Sequence, residues 1–239
     1  MVITLDNYIL FGVVMKILII GGGPVTQELL KAFESERELK RNEVIVVEID
    51  PEKADEISKA FDVVVVKGDA RDISLYESQI ASLTPLSDFD AVLALTDREE
   101  VNVFALTIAR HYGSAVRLAR VKNVRVGEVI SKLDLGVPVI VPTIISNFIK
   151  TYLQTLLQPR LVGEVDDYKV YCITILGTDK AVNKKIEELQ LPEDTKVLFI
   201  FDGTKLYVPS KDEVIKEGYL LYVLTKTQDV NLISKTFKG

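Results

Sequence analysis

Lys16-Ile17-Leu18-Ile19-Ile20-Gly21-Gly22-Gly23-Pro24-Val25-Thr26 is the stretch whose reading decides the fold. Its short, wholly apolar run reads as a strand buried on both faces, the pattern of a parallel sheet. Three glycines then permit a tight turn, and helical spacing begins at once, with Leu29, Leu30 and Phe33 on one face. Such a turn exposes the first backbone N–H groups of a helix, and the positive end of its dipole, to an anion. The expectation is a first βα unit that holds a nucleotide phosphate, with Gly21 and Gly23 permitting the tight turn and the close backbone approach. Thr26 stands where the third glycine of a G-x-G-x-x-G pattern lets helix and strand pack closely. Its β-branch either pushes the two apart slightly or turns a hydroxyl to the phosphate.

The same texture repeats downstream. Apolar runs over 43–49, 62–66, 90–95, 115–119 and 137–141 predict strands; patterned stretches over 25–38, 51–60, 74–82, 99–112 and 124–133 predict the helices between them. Pro51 sits at a helix start, where its missing N–H costs nothing, and Asp50 before it is placed as the cap. Short apolar strands separated by helices require parallel pairing and right-handed crossovers. The predicted class is therefore α/β, a doubly wound Rossmann-like parallel sheet over 15–142.

Ligands of such sheets lie beyond the carboxyl ends of the strands. Glu48 ends the second strand, 22 residues after Thr26. A carboxylate there accepts from ribose hydroxyls and repels a 2′-phosphate, favouring NAD or an adenosine nucleotide over NADP. Asp69 follows the third strand and either meets the adenine edge or caps the next helix. Thr96 and Asp97 follow the fourth strand, facing the same crevice, unless Thr96 serves only as a helix cap. Arg120, at the end of the fifth strand, either meets a phosphate or pairs with Asp97 or Glu99.

Residues 143–158 read as a separate amphipathic helix with a broad apolar stripe that includes Ile145, Phe148, Ile149, Leu153 and Leu157. It either closes its own domain or forms a subunit contact or swapped arm. Beyond it the texture changes to a small α+β module, with strands over 168–176, 196–201, 205–208 and 219–225 and helices over 181–189 and 228–235. Asp202-Gly203 is its hairpin signal.

Of the 239 residues, 48% are hydrophobic and 27% charged, an ordinary globular balance. A net charge of −6 with no clustered basic face argues against a nucleic-acid partner. Single copies of cysteine (Cys172) and histidine (His111) exclude an internal disulfide, argue against a structural zinc site and fit a reducing cytosol. His111 reads as a surface residue and Cys172 as a small core residue, so no catalytic residue and no metal ligand is expected. No apolar run approaches the ~20 residues that span a bilayer. Residues 1–14 lack a basic n-region; Met15-Lys16 resembles a natural start, which makes 1–14 an upstream extension or an added strand.

The combination of blocks is identified as similar to a known family. Ile20-Gly21-Gly22-Gly23, Glu48-Ile49-Asp50, Gly68-Asp69-Ala70, Thr96-Asp97-Arg98-Glu99-Glu100-Val101-Asn102, Ala119-Arg120-Val121 and Leu135-Gly136-Val137 resemble, in that order, the N-terminal nucleotide-binding domain of RCK/KTN proteins, regulators of potassium conductance and uptake. Leu189-Gln190-Leu191-Pro192, Asp202-Gly203, Val208-Pro209 and Ile215-Lys216-Glu217-Gly218-Tyr219-Leu220 resemble the TrkA-C module that commonly follows. The resemblance implies an extension (1–14), a TrkA-N domain (15–142), a linking or dimerisation helix (143–160) and a TrkA-C domain (161–239). It further implies a cytosolic, non-enzymatic subunit, peripheral at the inner face of the cell membrane. Such subunits form a homodimer or higher ring beneath a membrane-embedded potassium transporter or channel subunit, and exchange of NAD(H) or ATP/ADP gates the pore. Carried over by position, the cofactor set is Gly21, Gly22, Gly23, Pro24, Val25, Glu48, Thr96, Asp97 and Arg120, with Asp69 beside it. Thr26 for glycine, Pro24 for a polar or basic residue and Glu48 for aspartate depart from the family pattern. The alternatives are an NAD-dependent oxidoreductase and a structural ring subunit with a degenerate site.

Overall fold

The computed structural model describes residues 14–35, 41–227 and 229–238. The predicted extension, apart from Val14, and the predicted end of the first helix lie outside them. The chain divides after Ile144 into two compact units.

In the first unit, β1 (Lys16–Ile20), β2 (Glu43–Glu48), β3 (Val64–Lys67), β4 (Ala91–Ala94), β5 (Val116–Val121) and β6 (Val137–Ile140) form one sheet in the order β3-β2-β1-β4-β5-β6. Every neighbouring pair is parallel. This is the predicted doubly wound sheet, and its strand order reverses between β1 and β4. Successive side chains of a strand point to opposite faces, and β1 is apolar on both. Leu18 and Ile20 enter one core with Leu106 and Ile130, while Ile17 and Ile19 enter the other with Leu30 and Ile57. Each such burial stabilises by about 2–3 kcal/mol. Leu30 and Ile57 belong to α1 (Pro24–Ser35) and α2 (Pro51–Ala60); Leu106 and Ile130 belong to the later helices α4 (Glu99–His111) and α5 (Val124–Lys132).

The helix expected over 74–82 is wound differently. Leu75–Ile80 is a π-helix that passes into one α-turn, α3 (Ala81–Leu83). Tyr76 is buried within it, and its hydroxyl donates to the Ala70 carbonyl at 2.8 Å. The fifth strand runs on to Val121, so Arg120 lies within β5, opposite Val139 of β6, and not beyond its end.

The next helix, α6 (Val141–Leu157), starts directly where β6 stops, two residues earlier than expected, and belongs to the second unit from Ile145 onward. Pro142 fits its first turn, where no helical N–H bond is needed. In the second unit, β7 (Arg160–Val165), β8 (Tyr168–Thr174), β9 (Lys196–Phe201), β10 (Leu206–Tyr207) and β11 (Leu220–Thr225) form an antiparallel sheet ordered β10-β9-β11-β8-β7, followed by α7 (Val230–Phe237). Strand β7 is absent from the sequence-based expectation. It pairs with β8 across Asp166-Asp167, with Asp166 in the left-handed region at φ 52°.

The helix expected over 181–189 does not form. Asn183 N–H donates to the Ile215 carbonyl, Ile215 N–H to the Lys184 carbonyl and Ile186 N–H to the Glu213 carbonyl. Backbone groups that a helix needs for its own ladder are engaged by a neighbouring segment, and Asn183 adopts φ 62°. Only a 3-10 turn, Ile186–Glu188, remains. Cys172 is buried as a core residue, and burial pushes its thiol pKa up.

Candidate functional site

The carboxyl ends of β1, β2, β3, β4 and β5 meet over a crevice of about 500 Å³ in the first unit, a size suited to a small ligand. Gly21, Gly23, Pro24, Glu48, Asp69, Thr96, Asp97 and Arg120 line it; Gly22 and Val25 do not. Lys53, Arg71 and Arg98 also line it and were not singled out from sequence.

The glycine turn is built by close approach. Gly21 has φ +98°, and its N–H donates to the Val47 carbonyl at 2.8 Å, tying the turn to β2. A Cβ on Gly21 would lie 2.8 Å from the Thr96 methyl. At Gly22 a Cβ would lie 2.2 Å from Ile57 Cδ1. The Gly22 N–H donates to Glu48 Oε2 at 2.6 Å, and the Asp50 N–H donates to Oε1 at 2.9 Å. Glu48 is itself buried, so its carboxylate is fixed by two backbone amides while still lining the crevice. This engagement of Gly22 is the departure from the sequence reading, in which its amide faces phosphate. Pro24 opens α1 and brings no N–H.

Thr26 is completely buried, and its hydroxyl donates to the Gly21 carbonyl. The alternative in which that hydroxyl reaches a phosphate is thereby corrected: it closes the turn upon itself. Asp50 caps α2, accepting from the Glu52 and Lys53 amides.

Asp69 caps no helix. It holds Arg71, whose Nε and Nη2 donate to its carboxylate and whose N–H donates to Oδ1. The Arg71 guanidinium holds the Asp69 pKa at about 2, so this carboxylate stays ionised at any working pH. Across the crevice Arg98 pairs with Glu100 at 2.7 Å.

Asn102 was quoted from the sequence only as part of a block, yet it organises this end of the sheet. It is fully buried in α4. Its Oδ1 accepts from the Thr96 N–H at 3.1 Å and the Thr96 hydroxyl at 2.7 Å, and its Nδ2 donates to the carbonyls of Thr96 and Arg120 at 3.0 and 2.8 Å. One amide side chain thus ties the β4 end to β5. Its sequence signal was the spacing Thr96 to Asn102, which brings the amide back to the strand end in the first turn of α4.

Arg120 pairs with neither predicted carboxylate. Glu99 Oε1 is engaged by the N–H groups of Lys122 and Asn123, and the Lys122 ammonium donates to the Asp97 carbonyl. Arg120 Nε is buried and has no hydrogen-bond partner among the described residues. His111, at the end of α4, stacks edge-on against Tyr112 and takes no part in the lining. Among the described residues no group of three histidine, cysteine, aspartate or glutamate side chains is placed to hold a metal, and no helix is long and apolar enough to cross a membrane.

Residues 17–142 match the TrkA-N domain and residues 171–238 match the TrkA-C domain. The chain is 26% identical over 234 residues to a Trk system potassium uptake protein TrkA homolog of Pyrococcus abyssi, covering 92% of this chain and 96% of that protein. It is 24% identical over 235 residues to a TrkA homolog of Archaeoglobus fulgidus; there it covers 93% of this chain but spans only 50% of the relative. Among solved structures, the GsuK channel superposes with a TM-score of 0.66 at 17% identity, over 95% of this chain and 40% of that one. The GsuK channel bound to NAD superposes with a TM-score of 0.63 at 17% identity, over 93% of this chain and 39% of that one. These two likenesses are of fold.

Proposed function

The chain belongs to the family defined by the TrkA-N and TrkA-C domains, and from that premise we propose that it is a nucleotide-sensing regulatory subunit of a potassium transporter or channel. The observation that carries this is the gathering of Gly21, Gly23, Glu48, Asp69, Thr96 and Arg120 around one crevice at the switch in strand order. An adenosine ribose fits against Glu48, whose carboxylate keeps acceptor capacity beyond its two backbone bonds. Its phosphate fits at the start of α1. NAD(H) and the adenosine phosphates share these two parts, and the GsuK channel of like fold has been solved with NAD.

The family and its curated relatives support a partner embedded in the membrane, which this subunit gates from the cytoplasmic side. Coupling requires that the nucleotide favour one state of the assembly over another, because equal affinity shifts nothing. α6 supports assembly from copies of this chain. Ile145, Ile149, Leu153 and Leu157 are 52, 50, 58 and 86% exposed and stand four residues apart, which aligns them as one apolar ridge. Lys150 is the only charged residue in that helix. The dehydrogenase alternative gains no support from the crevice, whose lining has no histidine, cysteine or tyrosine and whose Lys53 ammonium lies 3.9 Å from Asp50.

Thermal unfolding with NAD, NADH, ADP, ATP and AMP tests the proposal. A nucleotide at 100 times its dissociation constant stabilises by about 2.7 kcal/mol. Glu48→Ala is expected to weaken that ligand at least tenfold. No shift with any of the five would leave a structural ring subunit with a dead site.

A further inference from the structure

In the second unit the Lys238 ammonium is held as a metal ion is held, by oxygens alone. Lys238 follows α7 and is only 7% exposed. Its Nζ donates to the Leu156 carbonyl at 2.8 Å, to the Thr174 carbonyl, and to Asp179 Oδ2 at 3.0 Å. Three acceptors meet the three hydrogens of an ammonium, so its donors are fully used. The acceptors come from separate elements. Leu156 belongs to the last turn of α6, where carbonyls lack helical partners and the dipole presents its negative end. Thr174 ends β8, and the Asp179 carboxylate is fixed by the Leu176 N–H at 2.8 Å.

Charge and spacing select the other occupants of this cage. Its one formal negative charge is on Asp179, so a single positive charge neutralises it and two leave a buried excess. The Leu156 and Asp179 oxygens stand farther from Nζ than the roughly 2.0–2.6 Å that magnesium and calcium take. We propose that the oxygens of Leu156, Thr174 and Asp179 form a site for a monovalent cation of ammonium or potassium size. Lys238 is its tethered occupant, and a free ion is the alternative one. Either supplies the positive charge that Asp179 needs and ties the last turn of α6 to β8. The tether gives the lysine a high effective concentration, so a free ion enters only when that side chain is absent or turned away. Water in the space left by the lysine stem completes the ion's shell.

The site is independent of the nucleotide crevice and is tested without any nucleotide. Thermal unfolding of the second unit is followed in the full chain and in Lys238→Ala, Lys238→Met and the double variant Lys238→Ala/Asp179→Asn. Each is measured in the chlorides of potassium, ammonium, sodium and choline at one ionic strength, choline being too bulky for the cage. Lys238→Ala is expected to melt at least ~5 °C higher in potassium or ammonium than in choline, with sodium between. The larger of the potassium and ammonium shifts identifies the preferred ion. Lys238→Met fills the space with an uncharged chain and the double variant lacks the carboxylate, so each should show less than ~1 °C of that difference. So should the unaltered chain, whose lysine already holds the place. A response shared by the unaltered chain or by Lys238→Met puts the ion elsewhere and overturns the inference, as does a preference for sodium over potassium. A Lys238→Ala chain that melts alike in all four salts overturns it too. The same holds if that variant fails to fold in potassium, since a bound ion would restore what the ammonium supplied.

Discussion

A single buried amide does much of the positioning at the candidate site. Asn102 satisfies four backbone or hydroxyl groups of Thr96 and Arg120, and removing it takes that partner from all four. Asn102→Ala is expected to destabilise the first unit by about 3 kcal/mol, measured by urea unfolding, and Asn102→Asp should not rescue it because both donors are gone. The residue types that line the crevice were readable from the sequence because strand ends in a doubly wound sheet converge, so Glu48, Asp69, Thr96, Asp97 and Arg120 could be placed by counting strands. Their partners were not readable. Nothing in the spacing announces that Glu48 reaches back to Gly22, that Thr26 donates to Gly21, or that Asp69 takes Arg71 out of use. Those pairings depend on rotamers and on which amide the turn leaves exposed, and periodicity carries neither.

At the scale of the element, the sequence is legible where burial is two-sided and obscure where a segment's hydrogen bonds go elsewhere. The six parallel strands are nearly continuous apolar runs, and all were placed within a few residues. Strand β7 escaped because Gly163 and Glu164 interrupt its pattern and its turn, Asp166-Asp167, has no glycine to mark it. The segment 181–189 has helical periodicity, but its Asn183 and Ile186 N–H groups bond to Ile215 and Glu213. The end of α6 shows a similar non-local debt. The Lys238 ammonium, buried after α7, donates to the carbonyls of Leu156 and Thr174 and to Asp179 Oδ2 at 3.0 Å. It thus ties the last turn of α6 to β8 and to the turn at Asp179. Lys238→Met would leave the buried Asp179 carboxylate without its counter-charge and is expected to cost about 3–5 kcal/mol in thermal unfolding of the second unit. Combining it with Asp179→Leu should recover part of that loss, because a buried pair replaced by apolar groups can be nearly neutral.

For the molecule as a whole, α6 is the element that the described residues leave least satisfied. Phe148 packs edge-on against Phe201 at 5.6 Å, and the Thr155 and Thr174 hydroxyls meet at 2.5 Å, so one side of the helix belongs to the second unit. The ridge of Ile145, Ile149, Leu153 and Leu157 has no such partner there. The unaltered chain is expected to be at least dimeric at micromolar concentration by light scattering, and Leu153→Glu should shift it to monomer without lowering its helix content, since that side chain faces outward. The broad stripe was legible from spacing; which part of it faces inward was not, because both sides are apolar. On the assembly proposed above, a newly made copy carries this ridge uncovered until a second copy meets it. During that interval it offers the kind of surface that promotes aggregation and attracts chaperones and proteases. The amount of this protein that persists in a cell should therefore follow the rate of encounter between copies more closely than the rate of translation.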